Sequence, residues 1–124
     1  MKLLLDTHVL LWWLSSQRIS ARARAAIQDR DNDVLVSLAS VWEIGIKKGI
    51  GKLDAPDDLE AQVASHSFVP LQITFTHAAA VANLPLLHRD PFDRMLVAQA
   101  QTEGLTVVTR DPRIARYGVP TLRA

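Results

Sequence analysis

Short runs of consecutive apolar residues alternate along the chain with longer segments in which apolar residues recur at helical spacing. A continuous apolar run predicts a strand that is buried on both faces, as in a parallel sheet. A proline within such a run favours a position at the sheet edge. The predicted strands are Lys2–Asp6, Val34–Val36, Leu105–Thr109 and, at an edge because of Pro70, Phe68–Ile73.

Helical spacing between these runs, together with capping and terminating residues, predicts helices between the strands. They are Val9–Leu14, Ala21–Asp29 after the cap Ser20, a helix from Ser37 or Ser40 to Lys48 before Gly49 and Gly51, Pro56–Ser65, Thr76–Asn83 before Pro85, and Asp90–Glu103 before Gly104; Gly118–Pro120 forms a short terminal piece. This alternation predicts an α/β class fold, an α/β/α sandwich with a central, mostly parallel sheet. Neither a repeat nor a Gly/Ser-rich linker divides residues 1–124, so we expect a single domain.

Composition narrows the classes of function. The net charge of +1, from 14 Lys+Arg and 13 Asp+Glu, predicts no partner by itself. The absence of Cys excludes disulfides, thiolate metal sites and a Cys nucleophile. The longest apolar run, Val9–Leu14, is far shorter than the roughly 20 residues that cross a bilayer, and Asp6 interrupts the N-terminal apolar run too early for a signal peptide. We therefore expect a soluble cytoplasmic protein.

The placement of acidic residues is the most informative feature of the chain. Asp6 ends the first strand, and Asp111 lies two residues after the Leu105–Thr109 strand. Open parallel sheets bind ligands outside the carboxyl ends of their strands, so both acids are expected at one edge. A helix between parallel strands begins at that same edge, which brings Asp93 to the group. Glu43 stands in an apolar helical stretch, where it either points to solvent or has a buried partner.

Convergence of these four acids would require a cation. Two unit charges about 4 Å apart repel by about 4 kcal/mol at an effective dielectric constant near 20. Several such pairs would consume much of the roughly 5–15 kcal/mol that stabilises a domain. An all-oxygen site favours Mg²⁺, with Mn²⁺ as the substitute, over Zn²⁺. Such a metal positions a phosphate and lowers the pKa of an attacking water, which indicates hydrolysis of a phosphodiester.

Four segments, each containing one of these acids, carry a family resemblance. The segments Leu3–Trp13, Ser40–Ile44, His88–Ala100 and Val108–Asp111 resemble the acidic blocks of PIN-domain ribonucleases, and most of all the VapC-type toxins of bacterial type II toxin–antitoxin systems. The resemblance covers residues 2 to about 118. It implies a PIN-like fold, Mg²⁺-dependent endonucleolytic cleavage of RNA, a homodimer, and inhibition by a small antitoxin whose C-terminal segment covers the acidic site.

The same resemblance assigns roles to the acids. Asp6 and Asp93 match the residues most directly associated with the metal, and Glu43 matches the acid that completes the site. Asp111 matches a fourth acid that often acts through water. Asp90 is an addition typical of the VapC-type block.

Several residues near these acids have a structural explanation beside a functional one. Asp90 and Asp111, each followed by a proline, are typical helix caps. The hydroxyls of Ser40 and Thr109 are candidates for an accessory role at the acids, although capping explains them equally well. His8 and His88 are interpreted as structural or rim residues.

Basic and aromatic residues around the acids have two readings as well. Arg89, Arg94 and Arg110 are candidate substrate-rim residues for RNA phosphates. Either a second basic group or a solvated face explains Lys47, Lys48 and Lys52. We predict packing in the core or in a dimer, rather than stacking on bases, for Trp12, Trp13 and Trp42.

Other functions remain open. A phosphoacceptor or phosphatase is disfavoured because the haloacid-dehalogenase pattern needs an Asp where His8 stands, and a receiver domain needs a Lys where Arg110 stands. The alternatives closer to the resemblance are a PIN nuclease in RNA maturation without a toxin role, and a non-catalytic PIN-like binding module.

Overall fold

A five-stranded, wholly parallel sheet forms the centre of the computed structural model, which describes all residues 1–124. The strands are β1 (Lys2–Leu5), β2 (Asp33–Ser37), β3 (Val69–Leu71), β4 (Thr106–Thr109) and β5 (Thr121–Arg123), in the spatial order β3-β2-β1-β4-β5. The helices are α1 (Thr7–Leu14), α2 (Ala21–Gln28), α3 (Leu38–Gly49), α4 (Leu59–Ser65), α5 (Phe75–Ala80), α6 (Pro91–Glu103) and α7 (Pro112–Ala115), with a 3₁₀ turn at Val81–Asn83. No helix combines the length with the apolar character that a membrane crossing requires.

Alternation along the strands divides the core between the two faces of the sheet. Leu3 and Leu5 of β1 point into one apolar cluster, which also contains residues of α1, α2, α3 and α4. Leu4 points into a second cluster on the opposite face, built mainly from α6 and α7. Because β1 is covered on both faces, its continuous apolar run is explained, and the predicted three-layer α/β/α sandwich is confirmed.

The structure also corrects several predicted boundaries. Helix α1 begins at Thr7 rather than Val9, because Asp6 caps it, and the predicted helix at 56–65 begins only at Leu59. The helix predicted over 76–83 runs instead from Phe75 to Ala80 and tightens into the 3₁₀ turn. A turn at 116–118 ends at Gly118, whose φ is 79°, and residues 119–120 lead without regular structure into an unpredicted edge strand, β5. Pro70 lies in the edge strand β3, as predicted.

The order of the strands determines where a ligand can bind. From β1 the chain moves outward through β2 to β3, and it then returns to the other side of β1 to form β4 and β5. The reversal occurs between β1 and β4. Open α/β sheets bind ligands outside the carboxyl ends of the strands at such a switch point. Asp6 directly follows β1 and Asp111 follows β4, so both acids lie at this crevice.

Candidate active site

Asp6 is held rigidly at the carboxyl end of β1. Its Oδ1 accepts a hydrogen bond from the Val9 N–H at 3.0 Å, which caps α1. Its Oδ2 accepts one from the Thr109 hydroxyl at 2.5 Å. The residue is 6% exposed, so these bonds fix a nearly buried carboxylate. Asp6 therefore serves both as a helix cap and as part of the candidate site.

Thr109 joins the two strand ends. Besides donating to Asp6, its hydroxyl accepts a hydrogen bond from the Asp111 N–H at 2.9 Å. Asp111 in turn caps α7 by accepting from the Arg113 N–H. Thr109 thus contacts two of the predicted acids, in keeping with the accessory position predicted for it.

Arg113 neutralises Asp111 in the structure. Its Nε and Nη2 donate to Oδ1 and Oδ2 of Asp111 at 3.1 and 3.0 Å. Burial alone would raise the pKa of Asp111, but the hydrogen bonds and charge of Arg113 outweigh it and hold this pKa below its usual range. Sequence reasoning missed this pairing, although the two-residue spacing after a cap provides a signal for it.

His88 lies between the second pair of acids. Its Nε2 is 2.8 Å from Asp93 Oδ2 and 3.2 Å from Asp111 Oδ2, although neither contact has the alignment of a hydrogen bond. Its Nδ1 accepts a hydrogen bond from the Asp90 N–H at 3.3 Å. His88, Asp93 and Asp111 can bring ligand atoms within 4.8 Å of one another. The buried His88 is therefore a more central residue than the rim position predicted for it.

The crowded and buried position of Asp93 raises the pKa of its carboxyl group. It lies in the first turn of α6, whose N-cap is Asp90 with Pro91 as the first helical residue. Burial, followed by repulsion from Asp90 and Asp6 and more weakly from Glu43, raises the pKa of Asp93 to about 6, against the attraction of His88. The shift shows that Asp6, Glu43, Asp90 and Asp93 share one electrostatic environment.

Glu43 is buried and pairs with a partly exposed lysine. It is 2% exposed, and its Oε2 accepts from the Lys47 ammonium at 2.5 Å, one turn along α3. The hydrogen bond to Glu43, more than its charge, raises the pKa of Lys47 against the opposing effect of burial. The second oxygen, Oε1, is buried and without a hydrogen-bond partner. Ser40 does not contact an acid: it accepts from the Thr7 hydroxyl at 2.9 Å and ties α3 to the start of α1.

Three of the four predicted acids line one open cleft of about 620 Å³, and Glu43 does not. The lining residues are Asp6, His8, Trp12, His88, Arg89, Asp90, Asp93, Arg110, Asp111, Pro112 and Arg113. Glu43 reaches this group only through its charge on Asp93. The cleft is thus lined by aspartates together with three arginines, Arg89, Arg110 and Arg113.

The donor set of this region fits a divalent cation. Its carboxylates supply oxygen ligands, and Glu43 Oε1 is buried without a partner. Burial first, and then the neighbouring carboxylates, raise the pKa of Asp93, and a cation would relieve the repulsion among these acids. The Asp90 N–H engages Nδ1 of His88, so Nε2 is the ring nitrogen that faces Asp93 and Asp111.

The three predicted rim arginines differ in position. Arg89 is exposed and lines the cleft, and Arg110 lines it while donating to the carbonyls of Ala124 and Arg18. The predicted rim position of Arg94 is wrong, because its guanidinium turns into the segment before α6. There it donates to the Tyr117 hydroxyl and to the carbonyls of Val81, Leu84, Pro85 and His88.

The three tryptophans differ in how deeply they are buried. Trp12 and Trp13 are half-buried and pack against the first core cluster, as predicted, although Trp12 reaches the acidic cleft as well. Trp42 is 62% exposed and contacts Phe92 edge to face, with ring centroids 5.2 Å apart, so it is not a core residue of this chain.

Two of the predicted basic residues lie away from the acids' contacts. Lys48 forms an ion pair with Asp57, and Lys52 is exposed and forms no ion pair.

Replacing Arg94 should destabilise the fold. We expect Arg94→Met to lower the free energy of unfolding by about 2–4 kcal/mol, because it leaves several carbonyls without their charged donor. The matched control Arg89→Met should stay within about 0.5 kcal/mol of the wild type. Urea unfolding measures both, and equal midpoints for the two variants would contradict the structural role of Arg94.

The raised pKa of Asp93 predicts a pH dependence of stability in EDTA. Because its folded pKa of about 6 lies above the ordinary value of 3.8, the stability that Asp93 contributes is present at low pH and is lost as the pH rises through about 6. We expect Asp93→Asn to be more stable than the wild type by about 1–3 kcal/mol near pH 7.5 and nearly equal to it near pH 4. Denaturant unfolding across this range tests the expectation, with Asp31→Asn as the control that should follow the wild type at every pH.

Comparison with known proteins agrees with this geometry. Residues 3–120 match the PIN domain family. Over 125 aligned residues the chain is 30% identical to Ribonuclease VapC22 of Mycobacterium tuberculosis, covering 94% of this chain and 92% of that protein.

Solved structures share the fold at lower identity. A VapBC2 complex from Rickettsia felis bound to a promoter DNA fragment superposes with a TM-score of 0.74 at 14% identity, covering 98% of each chain. A DNA-bound VapBC from Salmonella typhimurium gives 0.71 at 21% identity, covering 98% of this chain and 97% of the other. The family match over nearly the whole length, on a fold that places the acids in one cleft, shows that the chain belongs to the PIN-domain family.

Proposed function

We propose that the protein is a metal-dependent endoribonuclease that acts as the toxin of a toxin–antitoxin pair. The observation that carries the proposal is the single cleft in which Asp6, Asp93 and Asp111 meet, with the pKa of Asp93 raised by burial and by its neighbouring carboxylates. The similarity of this chain to a VapC ribonuclease, over most of both chains, supports RNA as the substrate.

The metal we propose is Mg²⁺, with Mn²⁺ as a substitute, because the available ligands are carboxylate oxygens. The residues that would hold it are Asp6, Asp93 and Asp111. Glu43, whose Oε1 has no hydrogen-bond partner, would add negative charge near them. When bound, the metal neutralises the acids, holds a phosphate oxygen and lowers the pKa of water. Cleavage would leave a 5′-phosphate.

The chain's own residues would prepare the site for this chemistry. Thr109 and the Val9 N–H fix both oxygens of Asp6, so the carboxylate needs little reorganisation. Arg110, held by two carbonyls, and the exposed Arg89 present guanidinium groups to phosphates at the cleft. The open shape of the cleft favours an extended single strand, whose bases are unpaired, over a duplex.

A protein partner would cover apolar side chains that this chain leaves exposed. Among them are Trp42, Ile50, Phe75 and Leu86, each at least 62% exposed, and aromatic residues are enriched in protein interfaces. The similar solved structures include toxin–antitoxin complexes, which supports a small cognate antitoxin as the partner. We propose that the protein also forms a homodimer and that it acts on RNA in the cytoplasm.

Other functions have less support. A phosphoacceptor role has no support from the comparisons, in which residues 3–120 match the PIN domain family. A purely binding PIN-like module would have no need for four acids in one electrostatic environment. A nuclease in RNA maturation would use the same cleft, and it differs from a toxin only in its effect on cells.

We expect the purified protein to cut single-stranded RNA in Mg²⁺ or Mn²⁺ and to stop cutting in EDTA. Asp6→Asn and Asp93→Asn should each lower the rate at least about 100-fold, since each removes a charge from the proposed metal site. Asp31→Asn is the matched control, because Asp31 is exposed and lies before the amino end of β2, whereas the acids lie at the carboxyl ends of the strands. Full activity of either site variant, or equal cutting in EDTA, would refute the assignment.

A toxin role predicts growth arrest when the chain is expressed without its antitoxin. Asp93→Asn at equal protein level should restore growth, because the arrest depends on cleavage, and Asp31→Asn should not. Colony counts and immunoblots after induction measure this. Normal growth with a protein that cuts RNA in vitro would favour RNA maturation instead.

A further inference from the structure

We propose that a second cleft beside the acidic one binds a base of the RNA next to the scissile phosphate, and that it selects bases rich in hydrogen-bond donors, guanine above all. The inference rests on the proposed nuclease function and deepens it by naming a specificity subsite. Neither the acids nor their metal is part of this subsite.

The two clefts adjoin at α1. The second cleft has a volume of about 460 Å³ and shares His8 and Trp12 with the acidic cleft, so these two side chains stand between them. His8 is exposed, and its ring lies 6.0 Å from that of Trp12 at an angle of 40°. A strand whose phosphate lies over the acids therefore passes an aromatic wall before reaching the second cleft. Aromatic side chains beside a phosphate-binding groove are how single strands are commonly held.

Trp12 is fixed in place from the side of the acids. The Arg110 guanidinium lies over its indole at 4.2 Å from the ring centroid. Arg110 is itself immobilised, because its Nε and Nη2 donate to the carbonyls of Ala124 and Arg18 at 2.8 and 2.7 Å. Since carbonyls do not cancel its charge, Arg110 offers a positive group to a phosphate while it supports the ring against which the adjoining base would pack.

The polar groups of the second cleft include strong acceptors. Asp54 supplies a carboxylate, and Gln62 donates its amide to Asp58 at 2.9 Å, which leaves its carbonyl oxygen as an acceptor. Gln17 also lines the cleft, with an amide that can both donate and accept. The Ser15 hydroxyl already donates to the Leu11 carbonyl. Guanine presents an N1–H and an adjacent amino group that match a carboxylate, adenine and cytosine present one amino group, and uracil presents a single imino N–H.

Charge separates the two clefts in function. Asp54 would repel a phosphate, whereas Arg89 and Arg110, together with the proposed cation over the acids, would attract one at the acidic cleft. The backbone of the RNA would therefore stay on the arginine side while the base enters the second cleft. A peptide segment is the competing occupant, and the experiment below separates the two.

The test is cleavage of a randomised single-stranded RNA pool by the full chain with Mg²⁺, followed by sequencing of the product ends. We expect the wild type to show enrichment of guanine at one fixed position beside the cut. Trp12→Leu should lower kcat/KM about tenfold, whereas Trp12→Phe, which keeps an aromatic ring, should lose little. Asp54→Asn should weaken the preference for guanine and lower kcat/KM on substrates that carry guanine at that position.

The outcomes distinguish this inference from the function on which it rests. Wild-type cutting with unchanged rate and preference in Trp12→Leu and Asp54→Asn overturns the subsite and leaves the nuclease intact. Absence of wild-type cutting in Mg²⁺ and Mn²⁺ removes the proposed function and the subsite with it. If Trp12→Leu cuts normally but loses binding of the co-expressed antitoxin, the cleft holds a peptide and the inference is wrong.

Folding of the variants must be shown separately, because Trp12 also packs on the core. Urea unfolding of each variant provides that check. Asp54 is exposed, so Asp54→Asn keeps the inference testable even if Trp12→Leu unfolds. Asp31→Asn, remote from both clefts, serves as the control for rate and base preference.

Discussion

Repulsion among carboxylates at the carboxyl ends of β1 and β4 is balanced by a small number of fixed contacts, and the rest of the site follows from that balance. The strand order places the reversal of chain direction between these two strands, so Asp6 and Asp111 are neighbours, and α6 brings Asp93 to them. His88 lies between Asp93 and Asp111, and Arg113 pairs with Asp111. Burial, together with the remaining repulsion, raises the pKa of Asp93.

Helix capping and the chemistry of the site use the same residues. Asp6, Asp90 and Asp111 cap α1, α6 and α7, and in each of them Oδ1 accepts the capping N–H. The other oxygen remains for the site: in Asp6 it contacts Thr109, and in Asp111 it lies near His88. Because a cap fixes the carboxylate relative to its helix, the local signal that makes each Asp a good cap also orients it toward the cleft. The structural and functional readings of these residues are therefore compatible.

The fold and the acids could be predicted from the sequence because both depend on regular features. Alternation of apolar runs with helical segments defines the sandwich, and the rule for parallel sheets then brings Asp6, Asp93 and Asp111 together. The directions of long side chains could not be predicted in this way. Arg94 turns inward because several carbonyls of the segment before α6 face it. The partly exposed Lys47 turns back along α3 to the buried Glu43. Strand β5 escaped prediction because three residues with a single buried apolar side chain carry no clear periodic signal.

The two ways in which arginines are held here decide which of them can act on a nucleic acid. Arg113 binds a carboxylate, so its charge is largely spent on Asp111 before any phosphate arrives. Arg110 is bound by neutral carbonyls, which fix its position and leave its charge intact. A phosphate over the acids is therefore drawn toward Arg110 rather than Arg113. Because Arg110 stacks on Trp12, that direction leads the strand toward the second cleft, so the electrostatics of the acidic cleft and the base selectivity of its neighbour are linked through one guanidinium.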